Sequence, residues 1–189
     1  MDNSRTTALR VSLVIGNPKP MSRTRTLAEH FTDGLVERTG RDQAVIDLAE
    51  QTDALFPPSP ERLAPLHERV SGSDLLVIAS PTYKASYTGL LKLFFDQMRP
   101  NALQGVVAIP LMTGASAAHS LAVDLHLTPL LRELGAVVPT GGVYLIVNET
   151  EDLEASVRAA IAKQRSQFAL LQAPWLPGGK HAGNAVDGR

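Results

Sequence analysis

The chain has 189 residues, 44% hydrophobic and 20% charged, which is the composition of one globular domain with a single sizeable core. Its 18 basic and 19 acidic residues leave a formal charge of −1, so it offers no cationic field to nucleic acid or to an anionic membrane. With no cysteine, disulfides, thiolate catalysis, iron–sulfur clusters and thiolate zinc sites are excluded.

Along the chain, short β-branched or aliphatic runs recur at 9–15, 44–48, 75–79, 106–111 and 143–147. Their length and lack of polar alternation predict strands buried on both faces, as in a parallel sheet. Between them lie helical spacings: Leu27, Phe31, Leu35; Leu63, Leu66, Val70; Leu90 to Phe95; Leu121 to Leu134; and Val157, Ile161, Phe168. Gly40, Gly72 and Gly135 each follow such a pattern where a left-handed residue would close a helix. Ser59-Pro60 reads as an N-cap and first helical position, Pro100 as the stop of a helix ending near Arg99, and Thr150 with Glu151 and Asp152 as the start of the last helix. Strict alternation of five strand–helix units predicts a doubly wound α/β sheet. We expect one domain over 1–172 and an irregular tail over 173–189. The run at 9–15 is too short for a secretory leader, and the uncharged run at 105–112 cannot span a bilayer, so a cytoplasmic protein is expected.

In such a sheet ligands bind beyond the carboxyl ends of the strands, where the strand order reverses. The loop after the first strand, Gly16-Asn17-Pro18-Lys19-Pro20-Met21-Ser22-Arg23-Thr24, is neither a dinucleotide fingerprint nor a Walker A loop. It is a polar turn opening a helix, with Lys19, Arg23 and Arg25 nearby, and helix-end N–H groups with cations make a seat for a phosphate. A plain N-cap at Ser22 is the alternative. After the third strand, Pro81-Thr82-Tyr83-Lys84-Ala85-Ser86-Tyr87-Thr88 supplies an apolar wall and polar groups suited to a flat aromatic ligand. Lys92 and Asp96 read as a surface i,i+4 pair, and Asp47 invites a ribose-binding role that belongs to the absent fingerprint. His119 and His126 share a helix face without a third ligand, so no metal site is expected.

The run PTYKASYTGLLK, with GNPKPMSRTRTLA after the first strand and Thr113-Gly114-Ala115-Ser116 after the fourth, resembles the NADPH-dependent FMN reductase family. Within it the chain is most similar to flavin reductases of two-component sulfonate monooxygenase systems. The resemblance implies a flavodoxin-like sheet of order 2-1-3-4-5 with helices on both faces, and hydride transfer from NADPH or NADH to FMN. It implies that Asn17, Lys19, Ser22, Arg23 and Thr24 enclose the FMN phosphate. By the same resemblance Pro81, Thr82, Tyr83, Lys84 and Ser86 lie along the flavin ring, and Thr113, Gly114 and Ser116 border its pyrimidine side. No side-chain acid or base is expected. Two segments depart from the family's usual pattern: Asn17-Pro18-Lys19 replaces Ser-x-Arg, and Ala115 replaces glycine. The family also implies a homodimer or homotetramer and an FMNH2-dependent monooxygenase as partner. An FMN-retaining quinone or azo reductase and a flavodoxin-like electron carrier are the competing readings.

Pro129 falls inside the fourth helical pattern, where it deletes the bond to the Leu125 carbonyl and predicts a kink or π-bulge beside His126. Related sulfonate-system reductases carry a π-helix there, which implies a role in flavin exchange; a kink held only by packing is the alternative.

Overall fold

The computed structural model describes residues 8–148 and 152–171. Five parallel strands, β1 (Leu9–Ile15), β2 (Arg41–Asp47), β3 (Leu75–Pro81), β4 (Val107–Gly114) and β5 (Val143–Ile146), form one sheet of order β2-β1-β3-β4-β5. The helices are α1 (Arg23–Leu35), α2 (Thr52–Leu55), α3 (Pro60–Ser71), α4 (Gly89–Asp96), α5 (Thr128–Glu133) and α6 (Leu153–Leu171). The order reverses between β1 and β3, so the loops after β1, β3 and β4 meet at one end of the sheet. No helix among the described residues is long and apolar enough to cross a membrane.

Alternate strand residues feed two cores because successive side chains point to opposite faces. Leu13, Ile15, Val77, Ile109 and Leu111 pack under α1 and α6 with Phe31 and Val157. Val14, Leu76, Ile78, Ala108 and Met112 pack under α3, α4 and α5 with Leu63, Phe94 and Leu131. β3 is buried along its whole length, whereas β2 stands at an edge and is fully buried only at Ile46 and Asp47. The expectation of burial on both faces thus fails for β2, which has a neighbour on one side alone.

Several helix ends differ from expectation, each for a local reason. Gly135 closes α5 at φ 88° as foreseen, but Gly72 ends α3 at φ −86°. There the Ser73 hydroxyl donates to the Arg69 carbonyl at 3.0 Å and takes over the capping role. Gly40 is left-handed, at φ 79°, but in the turn into β2. α1 has already ended at Leu35, and the Arg41 guanidinium donates to the carbonyls of Thr32 and Val36 at 3.4 and 2.8 Å. α4 stops at Asp96, before Arg99 and Pro100. The Thr150 and Glu151 start signals lie outside the described residues; Asp152 accepts the Ala155 amide at 2.9 Å at the head of α6. The tail from 173 also lies outside them. Lys92 and Asp96 do pair on the surface.

The segment leading up to Leu134 carries the irregular turn expected beside His126. A 3₁₀ turn at Ala117–His119 and a π-helical turn at Val123–Leu127 precede α5. The Thr128 N–H bonds the Val123 carbonyl, five residues back, and its hydroxyl donates to the same oxygen at 3.1 Å. Pro129, with no N–H to give, follows directly, so the widened turn falls where the ordinary ladder loses a donor.

His67 on α3 shows how packing sets a titration. Its ring meets Phe94 edge-on at 4.7 Å, and Nε2 lies 3.2 Å from the Phe94 carbonyl. Burial lowers its pKa from the ordinary 6.5, and the carbonyl contact opposes this only in part. The unfolded chain therefore takes up a proton at a higher pH than the folded one. Stability is lost as pH falls through 6.5 towards the lower folded pKa. Urea unfolding at pH ~7.5 and ~5.5 should show a larger acid-side loss for the wild type than for His67→Gln.

Candidate functional site

The three loops at the switch point are tied together by one residue, Thr113 at the end of β4. Its carbonyl accepts the Thr82 amide at 2.7 Å, which fixes the loop after β3. Its hydroxyl lies 3.2 Å from that of Thr24 in the first turn of α1, and Thr24 accepts the Asn17 side-chain amide at 3.1 Å. Thr24 and Thr113 are 3% and 5% exposed, so this knot is a buried floor on which the surface loops rest. Asn17 also accepts the Lys19 amide at 2.9 Å, folding the first loop back on itself.

Above that floor is a cleft of about 530 Å³. Asn17, Lys19, Ser22, Arg23 and Thr24 line one side, Pro81, Thr82 and Tyr83 another, and Thr113 and Gly114 a third. Three nominated residues do not line it. Lys84 is exposed in a two-residue turn closed by Tyr83 and Ser86, which exchange backbone bonds of 2.8 and 3.1 Å. Ser116 caps the next turn, its hydroxyl accepting the Ala118 amide at 3.4 Å. Both central residues of the Tyr83–Ser86 turn are left-handed, Lys84 at φ 50° and Ala85 at φ 64°, without being glycine. Such backbone costs about 1–2 kcal/mol per residue, and the paired ends hold it in place.

Charge is sorted within the first loop. Arg25 is engaged with Glu29 at 3.1 Å, with the buried Asp47 at 3.3 Å and with Glu50 at 3.5 Å. Asp47 also accepts the amides of Met21 and Ala49, so it pins the loop to the end of β2 and does not read a ribose. The side chains of Lys19 and Arg23 have no acidic partner among the described residues, although both line the cleft. Ser22 caps α1 by accepting the Arg25 amide at 3.3 Å. The N-cap reading and the phosphate seat are thus compatible: the cap orders the helix end, and the two free cations stand beside it.

The residues present fit FMN. The Thr82 hydroxyl is buried with no partner, a group that a polar ligand atom would satisfy. Gly114 lets the β4 loop pass close to its neighbours: a Cβ there would overlap the Tyr144 hydroxyl, lie 2.8 Å from Tyr144 Cζ and lie 3.4 Å from the Thr82 hydroxyl. Two unpaired cations suit a phosphate, and Tyr83, 48% exposed, offers a face to a planar ring.

Sequence reasoning missed the residues that hold these loops from behind. The Thr88 hydroxyl donates to the Gly16 carbonyl at 2.5 Å and accepts the Leu91 amide at 3.2 Å, capping α4 while joining it to β1. The Thr88 amide donates to the Ser80 hydroxyl at 3.1 Å. A threonine two residues before an apolar helical run signals the cap, but its reach to Gly16 is invisible in a linear chain.

A 2-1-3-4-5 parallel sheet with polar loops closing on an anion seat and an aromatic wall defines a flavodoxin-like protein with a site for a phosphorylated, planar ligand. Within that class the chain belongs to the NADPH-dependent FMN reductase family, whose sequence profile matches residues 9–151. It is 37% identical over 142 residues to an FMN reductase (NADPH) of Escherichia coli (strain K12), covering 72% of each chain. It is 34% identical over 148 residues to the NADH-dependent FMN reductase SfnF of Pseudomonas putida, covering 75% of this chain and 80% of that one. Among solved structures, the apo form of the NADH:FMN oxidoreductase EmoB matches with a TM-score of 0.71 at 29% identity, over 94% of this chain and 98% of that one.

Proposed function

We propose that this FMN reductase, drawing on NADPH or NADH, passes its reduced flavin to a monooxygenase. The chemistry that the two nucleotides supply when bound is hydride transfer from nicotinamide C4 to flavin N5. The chain's own residues bind, orient and screen. Lys19, Arg23 and Ser22 hold the phosphate at the head of α1, Tyr83 and Pro81 flank the ring, and the Thr24–Thr113 floor sets the spacing between the loops. Near-attack stacking of two rings needs no titrating side chain. The observation that carries the reading is the pair of cations, Lys19 and Arg23, without an acidic partner among the described residues in the cleft where all three loops meet. The SfnF and SfnE relatives are named NADH-dependent FMN reductases, which supports reduced flavin as the product handed on. A homodimer or homotetramer fits the exposed Leu121 and Leu125, four residues apart around the π-helical turn and 67% and 65% exposed.

Anaerobic loss of NADH and NADPH absorbance, with and without added FMN, tests this. Turnover should require free FMN and consume one nicotinamide per flavin reduced. Turnover of quinone without added flavin would replace the reading with that of an FMN-retaining reductase. Hydride uptake too slow for turnover would replace it with that of an electron carrier.

A further inference from the structure

β5 and its exit hold the loop behind β4 by three consecutive carbonyls. The Val147 amide donates to the Gly114 carbonyl at 2.7 Å, the Asn148 side-chain amide to that of Ala115 at 3.3 Å, and the Tyr144 hydroxyl to that of Ser116 at 3.2 Å. A trans peptide sets its C=O and N–H on opposite sides, so the Ala115 amide points away from the β5 backbone, and those of Ser116 and Ala117 point away from the Asn148 and Tyr144 side chains that hold the carbonyls before them. For the Ala115 amide, in the order β2-β1-β3-β4-β5, the direction away from β5 leads towards the loops after β3 and β1, where Gly114 and Ala115 line the cleft. None of these three amides has an acceptor among the described residues. The Tyr144 ring also occupies the space a side chain at Gly114 would need, so the loop is backed sterically as well as by hydrogen bonds.

We propose that Tyr144 and Asn148 are positioning residues for the flavin. By clamping the carbonyls they aim a row of N–H donors at the ring's N1–C2=O edge, which becomes electron-rich on reduction. Hydrogen bonds to an anion are roughly twice as strong as those between neutral groups, so the aimed donors favour reduced over oxidised flavin. Neither residue lines the cleft, and neither lies in the loops that carry the family resemblance. The inference rests on the FMN reductase reading.

Tyr144→Phe keeps the ring and removes its donor; Asn148→Ala removes the other side-chain donor at an exposed position where the core is untouched. Dissociation constants for oxidised FMN, and anaerobically for dithionite-reduced FMN, are to be measured for wild type, both single variants and the double variant. In the double variant the reduced-state constant should rise about tenfold more than the oxidised-state one, which moves the bound two-electron potential about 30 mV negative. The single variants should fall between. Equal weakening of both redox forms, or none, overturns the positioning role. A wild type that binds neither form overturns the FMN reading itself, and the two failures are told apart by the wild-type titration alone.

Discussion

Gly16→Ala should lower the unfolding free energy by about 1–3 kcal/mol and weaken FMN binding in the same protein. Gly16 is the last buried residue of the chain leaving β1, and both its backbone groups are committed. Its amide donates to the Ala79 carbonyl at 2.7 Å and its carbonyl accepts the Thr88 hydroxyl at 2.5 Å. A methyl at this position would lie 2.7 Å from Leu91 Cβ and 3.1 and 3.2 Å from the Leu91 Cδ1 and Cγ atoms. Leu91 is fully buried, and its Cβ is fixed to the backbone of α4, so no rotamer change relieves the overlap. Either α4 moves outward or the end of β1 peels from β3. Both shifts separate the phosphate loop from the ring loop, which is why stability and affinity should fall together. Urea unfolding and FMN titration measure the two. Wild-type values in both would mean that β1 and α4 are not packed this closely.

That coupling marks the boundary between what was legible in the sequence and what was not. The order of the strands came only with the family resemblance that the motifs around Tyr83 and Ser22 carry. The strands themselves followed from five apolar runs with helical spacing between them, because periodicity and short turns are local properties. Pro129 announced the broken helix for the same reason: a missing N–H acts on the carbonyl one turn back. The supports of the site are not local. Thr113 meets Thr24 across 89 positions, Thr88 meets Gly16 across 72, and Tyr144 reaches Ser116 across 28. Such pairs come together only through the crossovers of the sheet, and a threonine or tyrosine carries no mark of its distant partner. The left-handed helix closures expected at Gly40 and Gly72 fail for a related cause. Arg41 and Ser73 satisfy the terminal carbonyls from outside the helices, so the glycine signal was not needed there.

Arg23→Ala should weaken FMN about 10- to 100-fold while leaving riboflavin binding unchanged, since charge-assisted hydrogen bonds contribute about 1.5–3 kcal/mol and riboflavin lacks the phosphate. Arg23 opens α1, lines the cleft and has no acidic partner among the described residues to release first. Lys19→Ala should cost less, because an ammonium on an exposed stem acts as a point charge without the guanidinium's fork. Both losses should shrink as salt rises, which separates a phosphate contact from a packing effect. Arg25 provides the internal contrast. Two residues further along the same helix, it is bound to Glu29, Asp47 and Glu50. Its removal leaves the Asp47 carboxylate, with a side chain 1% exposed, without its cation. Arg25→Ala should therefore destabilise the fold by about 3–5 kcal/mol, through the uncompensated buried charge. Calorimetry alongside the two ligand titrations would distinguish the roles: loss of FMN but not riboflavin for Arg23, loss of thermal stability for Arg25. If Arg23→Ala weakened riboflavin as much as FMN, the cation would be serving the ring and not the phosphate, and the anion seat at the head of α1 would have to be abandoned.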